Sequence, residues 1–600
     1  MDFGTLVGYY EKISGTRKRL EMLDYLVDLF NSLKNDQNEA DDLEQIIYLT
    51  QGKLYPEIME QPKLGLAEKL LLEAMSKYYA VNQGTARKLL KKTGDLGSTA
   101  ERLAKKQQAK KSQITSFMGI ETKSLTVLDI YQKLEEIAAI SGEGSQDKKY
   151  SKLTWLLARC TPPMVKYLMR IIQSTMRVGV SEPTIMDALA VSYLGDRDYR
   201  ERIERGYNIH PDLGFVARKV YEKGLEGLHD IHITVGMPIR MMLASRLEYQ
   251  QILPKLGAKK FFSEYKLDGE RLQIHKDGND VEIFSRRLTK ITEQYPDVVE
   301  SILNNVKAEK AILEGEAVAM DQFYEEMRPF QVLITRKRKY NIDEMVKEVP
   351  VCLFVFDLLY LVKDGDETIV MDLPFLKRRD LIKENLDETE KIRLVEGKMI
   401  ESTSELVEWF KKARSVNTEG VMNKSVDPKT SIYKAGNRGF LWIKLKSLEV
   451  GKMSDTIDVV PIGALWGKGK RANLYGTLLV AVLNAETDNY ELLTRVASGF
   501  SDDDLSKFMG IFQENKLDHA AANVVCSDKA DVWFKPAIVM EIAGDELTVS
   551  PKADAGKYHN GKMHENGYSV RFPVFQRIRK DKGIEDATTV DEIVNLFDSQ

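Results

Sequence analysis

From the N-terminus to about Gly227, apolar residues recur every three or four positions, the period of helices with one buried face. Leu20, Leu23, Leu26, Val27, Phe30 and Leu33 trace such a face after Thr16, a residue type that caps helices. Leu43, Ile46, Ile47 and Leu49 repeat the period behind Asp41 and Asp42, and stretches 66–75, 125–140 and 153–172 continue it. The pattern predicts an all-α domain over 1–227. Within it, the Lys-rich polar stretch 105–118 predicts a loop.

Beyond Gly236-Met-Pro238 the period shortens to two, and strands are predicted. Phe261 and Phe262 open a strand that meets an Asp-Gly turn signal at Asp268-Gly269. Leu272 and Ile274 then alternate with polar residues, and Asp277-Gly278 reverses the chain into Val281 and Ile283. Lys266 is therefore expected at the mouth of a sheet. Glu314 and Glu316 share one face of a strand, and the apolar run 351–361 predicts a buried central strand. A helix is expected over 406–413. Alternation at 441–446 sets Trp442, Lys444 and Lys446 on one face and Ile443 and Leu445 on the other. An α+β domain over 228–448 accounts for these elements. After it, short Gly-broken strands at 457–462, 475–482 and 492–496 predict a small β-barrel over 449–600, closed by a terminal helix at 588–597.

Six hundred residues suit about three or four domains. A net charge of −4, from 87 basic and 91 acidic side chains, means that a nucleic-acid partner would need local basic patches. Three scattered cysteines, Cys160, Cys352 and Cys526, form no Cys-x-x-Cys pair and fit a reducing compartment. No apolar run approaches a membrane span, and the N-terminus lacks a signal-peptide layout. The expected location is the cytoplasm.

The chemistry concentrates in an ordered series. Lys266-x-Asp-Gly-x-Arg271 comes first, then Ser285-Arg286, Glu314-Gly-Glu316 and Phe356-Asp357. Glu419-Gly-Val-Met-x-Lys424 and Trp-x-Lys444-x-Lys446 follow, and Arg571-Phe-Pro with Arg579-Lys-Asp581-Lys582 closes it. A lysine amine is protonated and non-nucleophilic at neutral pH, and neighbouring cations favour its free form. Lys444 and Lys446 would supply them and neutralise a polyphosphate. Glu316 and Glu419 are hard oxygen donors suited to Mg²⁺. Farther forward, Arg170 and Arg177 are seven apart and are read onto nearly one helix face, with Gly179 opening the backbone before Ser181. Cations beside a helix N-terminus suit phosphates, although a solvated charge pair is the plain alternative.

Lys-x-Asp-Gly-x-Arg resembles the nucleotide-accepting motif of the covalent nucleotidyltransferases. The whole series resembles the archaeal and eukaryotic ATP-dependent DNA ligases, in the archaeal replicative type. The resemblance implies a helical DNA-binding domain, an adenylation domain and an OB-fold domain. It implies sealing of nicks in duplex DNA, in replication, repair and recombination, through a lysine–AMP adduct, with ATP and Mg²⁺ (Mn²⁺ in its place) and a monomeric enzyme. Lys266 would carry AMP, Glu264 would meet the adenine edge, Phe356 would stack on the ring, and Arg271 and Glu316 would hold the ribose. Arg286, Arg438, Lys444 and Lys446 would contact phosphates, and Glu316 and Glu419 would lie near the metal. Arg579, Asp581 and Lys582 would orient the leaving pyrophosphate, and Arg170, Arg177 and Gly179 resemble the Arg-x-Gly stretch that contacts DNA. Gln113 and Phe117 resemble a shortened motif for binding the replication sliding clamp. A capping guanylyltransferase shares the lysine motif but needs no helical domain of this length, and an RNA ligase usually lacks one. An NAD-dependent ligase would need a four-cysteine zinc site. A DNA-binding clamp component without activity would have no use for Lys266 and both glutamates.

Overall fold

The computed structural model describes residues 1–34, 39–56, 58–59, 64–112, 124–256, 260–336, 342–446 and 456–598. The contacts group into two compact units, each discontinuous in sequence: Met1–Leu66 with Ile120–Leu448, and Ala67–Gly119 with Glu449–Gln600.

In the first unit the N-terminal third is helical, and its helices bury the periodic faces. Arg19–Leu33 covers Leu23, Leu26, Leu29, Phe30 and Leu33. Leu20, expected on that face, is exposed. Lys18 takes the cap position, and Thr16 instead accepts the Lys18 backbone N–H. The stretch 153–172 is two helices, Ser145–Arg159 and Pro162–Ile172. Pro162 and Pro163 sit in the first turn of the second, where the missing N–H costs nothing. That helix ends at Ile172, and Arg177 follows outside it at φ +55°. Arg170 and Arg177 therefore do not share a helix face.

The remainder of the unit is two sheets joined at the lysine motif. One sheet orders its strands Leu243–Arg246, Arg438–Leu445, Gly420–Lys424, Phe261–Lys266 and Gly397–Ile400. The other runs Asp280–Ser285, Glu270–Asp277, Lys310–Ala319, Val351–Lys363 and Asp366–Thr368, with Ile392–Leu394 also on Val351–Lys363. The reversal at Asp277-Gly278 is the expected hairpin, pairing Leu272 with Ser285 through Asp277 with Asp280. The turn at Asp268-Gly269 does something else: it carries the chain from the first sheet into the second. Val351–Lys363 is a buried interior strand, because helices and strands cover it on both sides.

The second unit holds the helices Glu68–Tyr78, Gln83–Thr93 and Leu96–Ser112 together with the C-terminal sheet. Residues 105–112, expected as loop, continue Leu96–Ser112. Ala100, Leu103 and Ala104 bury one face of it, a Glu101–Lys105 pair at 2.7 Å braces another, and Lys, Gln and Ala are strong helix formers. Gln113 and Phe117 lie outside the described residues. In the sheet, Ile457–Trp466 pairs with Tyr475–Asn484, which pairs with Asn489–Val496. Ile457–Trp466 also pairs with Val539–Ala543, and that strand with Val574–Arg579. Among the described residues the ends meet at one bridge, Ser498 to Val574, so the expected barrel is closed only in part. The terminal helix is Val590–Asp598. Among the described residues no helix is long and apolar enough to cross a membrane.

Candidate active site

Lys266 is the last residue of Phe261–Lys266, opposite Gly420 on the neighbouring strand. The crossing that follows is tight. A Cβ on Gly269 would stand 2.3 Å from the Ala317 carbonyl oxygen, so only glycine lets the chain pass this close to the second sheet. Lys266 consequently projects between the sheets, into a cleft of about 860 Å³ counting its open mouth. Glu264, Arg271, Arg286, Glu316, Phe356, Arg438, Trp442 and Lys444 line the same cleft.

Lys266 Nζ lies 2.9 Å from Glu419 Oε2, and Lys446 Nζ lies 2.6 Å from the same oxygen. Burial works to raise the Glu419 carboxyl, but the two ammonium groups outweigh it and hold it at about 2. Burial raises Glu316 to about 7, with Lys266 and Arg271 opposing the shift and Glu419 and Asp268 adding to it. Asp268 is also raised, by burial first, although it accepts the Phe330 N–H at 3.1 Å. Lys444 is lowered by burial and then by Lys446, Lys266, Arg438 and Arg286. Six cations (Lys266, Arg271, Arg286, Arg438, Lys444, Lys446) thus surround three carboxylates (Asp268, Glu316, Glu419), leaving the cleft electropositive. Such a cleft suits a polyphosphate. The three carboxylates are hard donors whose mutual repulsion a divalent cation would relieve, so they fit Mg²⁺ in kind.

Behind the cleft the charges are paired. Glu264 is 1% exposed and bridges Arg379 and Lys424, with Lys424 Nζ at 2.7 Å. Lys424 also donates to the Phe356 carbonyl at 3.1 Å and sits 4.5 Å from the Trp442 ring centroid. Asp357 and Arg378 form a buried two-bond pair at 2.7 and 3.0 Å. Arg271 donates to Glu314 Oε2 and to the Met242 carbonyl, both at 2.7 Å, and its guanidinium lies 5.2 Å from the Phe356 ring centroid. The Phe356 ring meets Trp442 edge-on at 6.1 Å.

The sequence pattern missed Glu314 as a working residue, along with Gln273, Arg379 and Tyr433. Glu314 stood in the quoted Glu-Gly-Glu, where its full burial is the missing signal. Tyr433 stands in an unremarkable loop. The remaining expected residues are each placed within their own unit. Arg170 is buried, over the Tyr167 ring and within 3.5 Å of the Met176 carbonyl. Gly179 turns at φ +80°. In the second unit, Arg579 bonds Asp581 at 2.8 and 3.0 Å and Asp458 at 3.2 Å, and Lys582 bonds Asp458 at 2.7 Å. The Arg579 partnership holds Asp581 at about 2.

Three family descriptions match the chain: "DNA ligase N terminus" over residues 2–190, "ATP dependent DNA ligase domain" over 241–446, and "ATP dependent DNA ligase C terminal region" over 471–582. The chain is 41% identical over 602 residues to a DNA ligase of Sulfolobus acidocaldarius, covering 100% of this chain and 98% of that one. It belongs to the ATP-dependent DNA ligase family. A DNA ligase of Sulfurisphaera tokodaii is 42% identical over 599 residues, covering 100% and 97%. Among solved structures, Pmar-Lig_PreS3 superposes with a TM-score of 0.54 at 15% identity, covering 96% of this chain and 99% of that one. That likeness concerns the fold. The 241–446 match contains Lys266 and every other residue expected to line the nucleotide cleft.

Proposed function

We propose that this ligase-family chain seals nicks in duplex DNA through a covalent adenylate on Lys266, in replication, repair and recombination. The observation that carries the reading is Lys266 Nζ in an electropositive cleft whose inner wall offers the Phe356 ring, Arg271 and Glu316. The Lys266 amine, once free of its proton, attacks the α-phosphate of ATP. A phosphoramidate bond forms, the bond to the β-phosphate breaks and pyrophosphate leaves. The AMP then passes to the 5′-phosphate at the nick, and the 3′-hydroxyl displaces AMP as it loses its proton. Each step is phosphoryl transfer, so positioning and charge neutralisation supply most of the acceleration.

In this reading Phe356 stacks on the adenine, and Glu264 acts on its edge from within its buried ion pairs. Arg271 and Glu316 orient the ribose, and Arg286, Arg438, Lys444 and Lys446 hold the phosphates. Glu316 and Glu419 hold Mg²⁺ or Mn²⁺, which supplies charge neutralisation at the phosphates. The functional division is 1–227 for DNA binding, with Arg170, Arg177 and Gly179 near the backbone phosphates, 228–448 for adenylation and 449–600 as an OB-fold. Arg579, Asp581 and Lys582 orient the pyrophosphate. The chain acts as a cytoplasmic monomer, and Gln113 and Phe117 bind the sliding clamp.

The test uses labelled ATP. The intact chain should form a covalent AMP adduct that survives denaturation and alkali but is released by acid, as a phosphoramidate is. Lys266→Ala should form none yet still join a nick whose 5′ end is already adenylated. Sealing of ordinary nicks by Lys266→Ala at the wild-type rate overturns the reading.

A further inference from the structure

The loop 432–437 stands between the helical part of the first unit and the cleft, and it is held at both ends. On its outer side, Arg205 of the helix Arg200–Ile209 grips Asp372 with two bonds, 2.7 and 3.2 Å. The adjacent Met371 carbonyl accepts the Tyr433 backbone N–H at 2.9 Å. The Asn208 carbonyl accepts the Arg240 N–H at 2.8 Å, and the Arg240 carbonyl accepts the Gly436 N–H at 2.9 Å. Gly436 turns at φ +68°, and a Cβ there would lie 2.4 Å from Asn208 Oδ1, so the helix and the loop are in close contact. On the inner side, the Tyr433 hydroxyl donates toward Glu314, 3.0 Å from each oxygen, and accepts the Met242 N–H at 2.7 Å. Burial, reinforced by Glu314, pushes that phenol well above its ordinary value, so it stays a donor. Glu314 in turn takes Arg271 Nη2 at 2.7 Å and Gln273 Nε2 at 3.2 Å, and Arg271 Nη1 reaches the Met242 carbonyl.

We propose that Tyr433 is a positioning residue that links the seat of the helix Arg200–Ile209 to the Arg271 guanidinium, so that nucleotide affinity depends on how that helix is docked. Glu314 has no exposed surface and Arg271 is its one charged partner among the described residues. Any shift of the loop moves the Tyr433 hydroxyl, and the Glu314 carboxylate and Arg271 must follow it, because a buried carboxylate cannot exchange its donors for water. The linker residues Ile239 and Met242 bond into the same network, through Gln273 and Tyr433 respectively, so the segment joining the helical part to the cleft is tied to the same carboxylate. A chain that feels its helical part in this way would bind nucleotide differently once that part is engaged elsewhere.

This inference rests on the cleft being the nucleotide site. The test measures lysine–AMP formation by the full chain as a function of ATP, for Tyr433→Phe, for Arg205→Ala/Asn208→Ala, for the three changes combined, and for Arg271→Ala. Tyr433→Phe should raise KM for ATP about tenfold, one hydrogen bond to a charged network, with the maximal rate changed by less than about threefold. The helix variant should raise KM in the wild-type background and add nothing to Tyr433→Phe. Additive effects, or a fall in maximal rate with KM unmoved, overturn the relay. An unchanged KM in Arg271→Ala would instead remove the nucleotide reading of the cleft. A rise in KM for Arg271→Ala alone leaves that reading in place and refutes the relay.

Discussion

Replacing Glu264 with alanine separates two things this residue does. Its carboxylate is 1% exposed, and it is the shared counter-charge of Lys424, itself 1% exposed, and Arg379, 6% exposed. Burial pulls the Lys424 ammonium downward in pKa, and Glu264 is the strongest group opposing that shift. Without it, Lys424 keeps the Phe356 carbonyl at 3.1 Å and ring contacts at 4.5 to 5.1 Å, and Arg379 keeps the Val395 carbonyl at 2.6 Å. Two cations then remain buried with hydrogen bonds, and the anion still acting on Lys424 is Asp357, already paired with Arg378. Breaking one partner out of a buried pair costs roughly 3–5 kcal/mol. The remaining partners here place Glu264→Ala near the lower end, about 3 kcal/mol. Glu264→Gln keeps the volume and one acceptor and should lose about half of that. Adding Lys424→Met removes the stranded charge and should recover about 1–2 kcal/mol, a coupling that only a direct pair produces. Urea unfolding followed by tryptophan emission reads all of these. A Glu264→Ala midpoint within the error of wild type, with adenylation lost, would show that the carboxylate serves the nucleotide alone and refute the buried-charge argument.

Gly269→Ala should abolish adduct formation and destabilise the first unit by more than about 2 kcal/mol, since its Cβ would stand 2.3 Å from the Ala317 oxygen; an active, stable variant would show that the crossing can relax. Burial lowers the His275 imidazole to about 3, with Nδ1 accepting the Gly236 N–H and Nε2 facing the Gln273 oxygen. The unfolded chain therefore binds a proton that the fold does not between pH 6.5 and about 3. Stability should fall by about 1.4 kcal/mol per unit as pH drops through that window, and His275→Gln should flatten that slope in urea unfolding. Lys444→Met should raise KM for ATP by about tenfold or more while leaving the unfolding midpoint within about 0.5 kcal/mol, because its cation faces other cations. Affinity for a nicked duplex should fall by about a thousandfold between 50 and 200 mM salt, and a flat response would argue against backbone phosphate contacts.

The residues that form the cleft were legible because their chemistry is rare in combination. A lysine followed by Asp-Gly, a Glu-Gly-Glu and a Trp-x-Lys-x-Lys in order leave few other readings, and alternation alone set Trp442 and Lys444 against Ile443 and Leu445. Helix periodicity found most of the N-terminal helices but misjudged their limits. Stretch 153–172 hid a break because both halves carry the same apolar period, and Pro162-Pro163 was the only mark of it. Stretch 105–112 looked like loop because lysine-rich polarity was weighed above helix propensity, yet the buried residues Leu96, Thr99, Ala100, Leu103 and Ala104 all precede it and anchor the helix that it continues. Tyr433 and Glu314 were illegible in a stronger sense. Their importance lies in contacts between residues 119 positions apart, and nothing in the local pattern of either carries it.

The charges around Lys266 fall into two sets with opposite energetics. Behind the cleft, Glu264 with Arg379 and Lys424, Asp357 with Arg378, and Glu314 with Arg271 match carboxylates to cations at hydrogen-bond distance. Such pairs gain little net stability over apolar residues of the same size, but each fixes a position, and losing one partner is expensive. They make a rigid back wall that carries almost no field of its own. In front, Arg286, Arg438, Lys444 and Lys446 outnumber the carboxylates near them, and burial together with their mutual repulsion already lowers Lys444. That repulsion is a cost in the nucleotide-free protein and is relieved by a polyanion, so it adds to affinity without adding to stability. The two sets therefore answer mutation differently: a back-wall change should appear first as lost stability, and a front change first as lost ATP affinity. Arg271 belongs to both, because it closes the Glu314 pair and also faces the cleft, and it is the residue through which strain in the wall can reach the nucleotide.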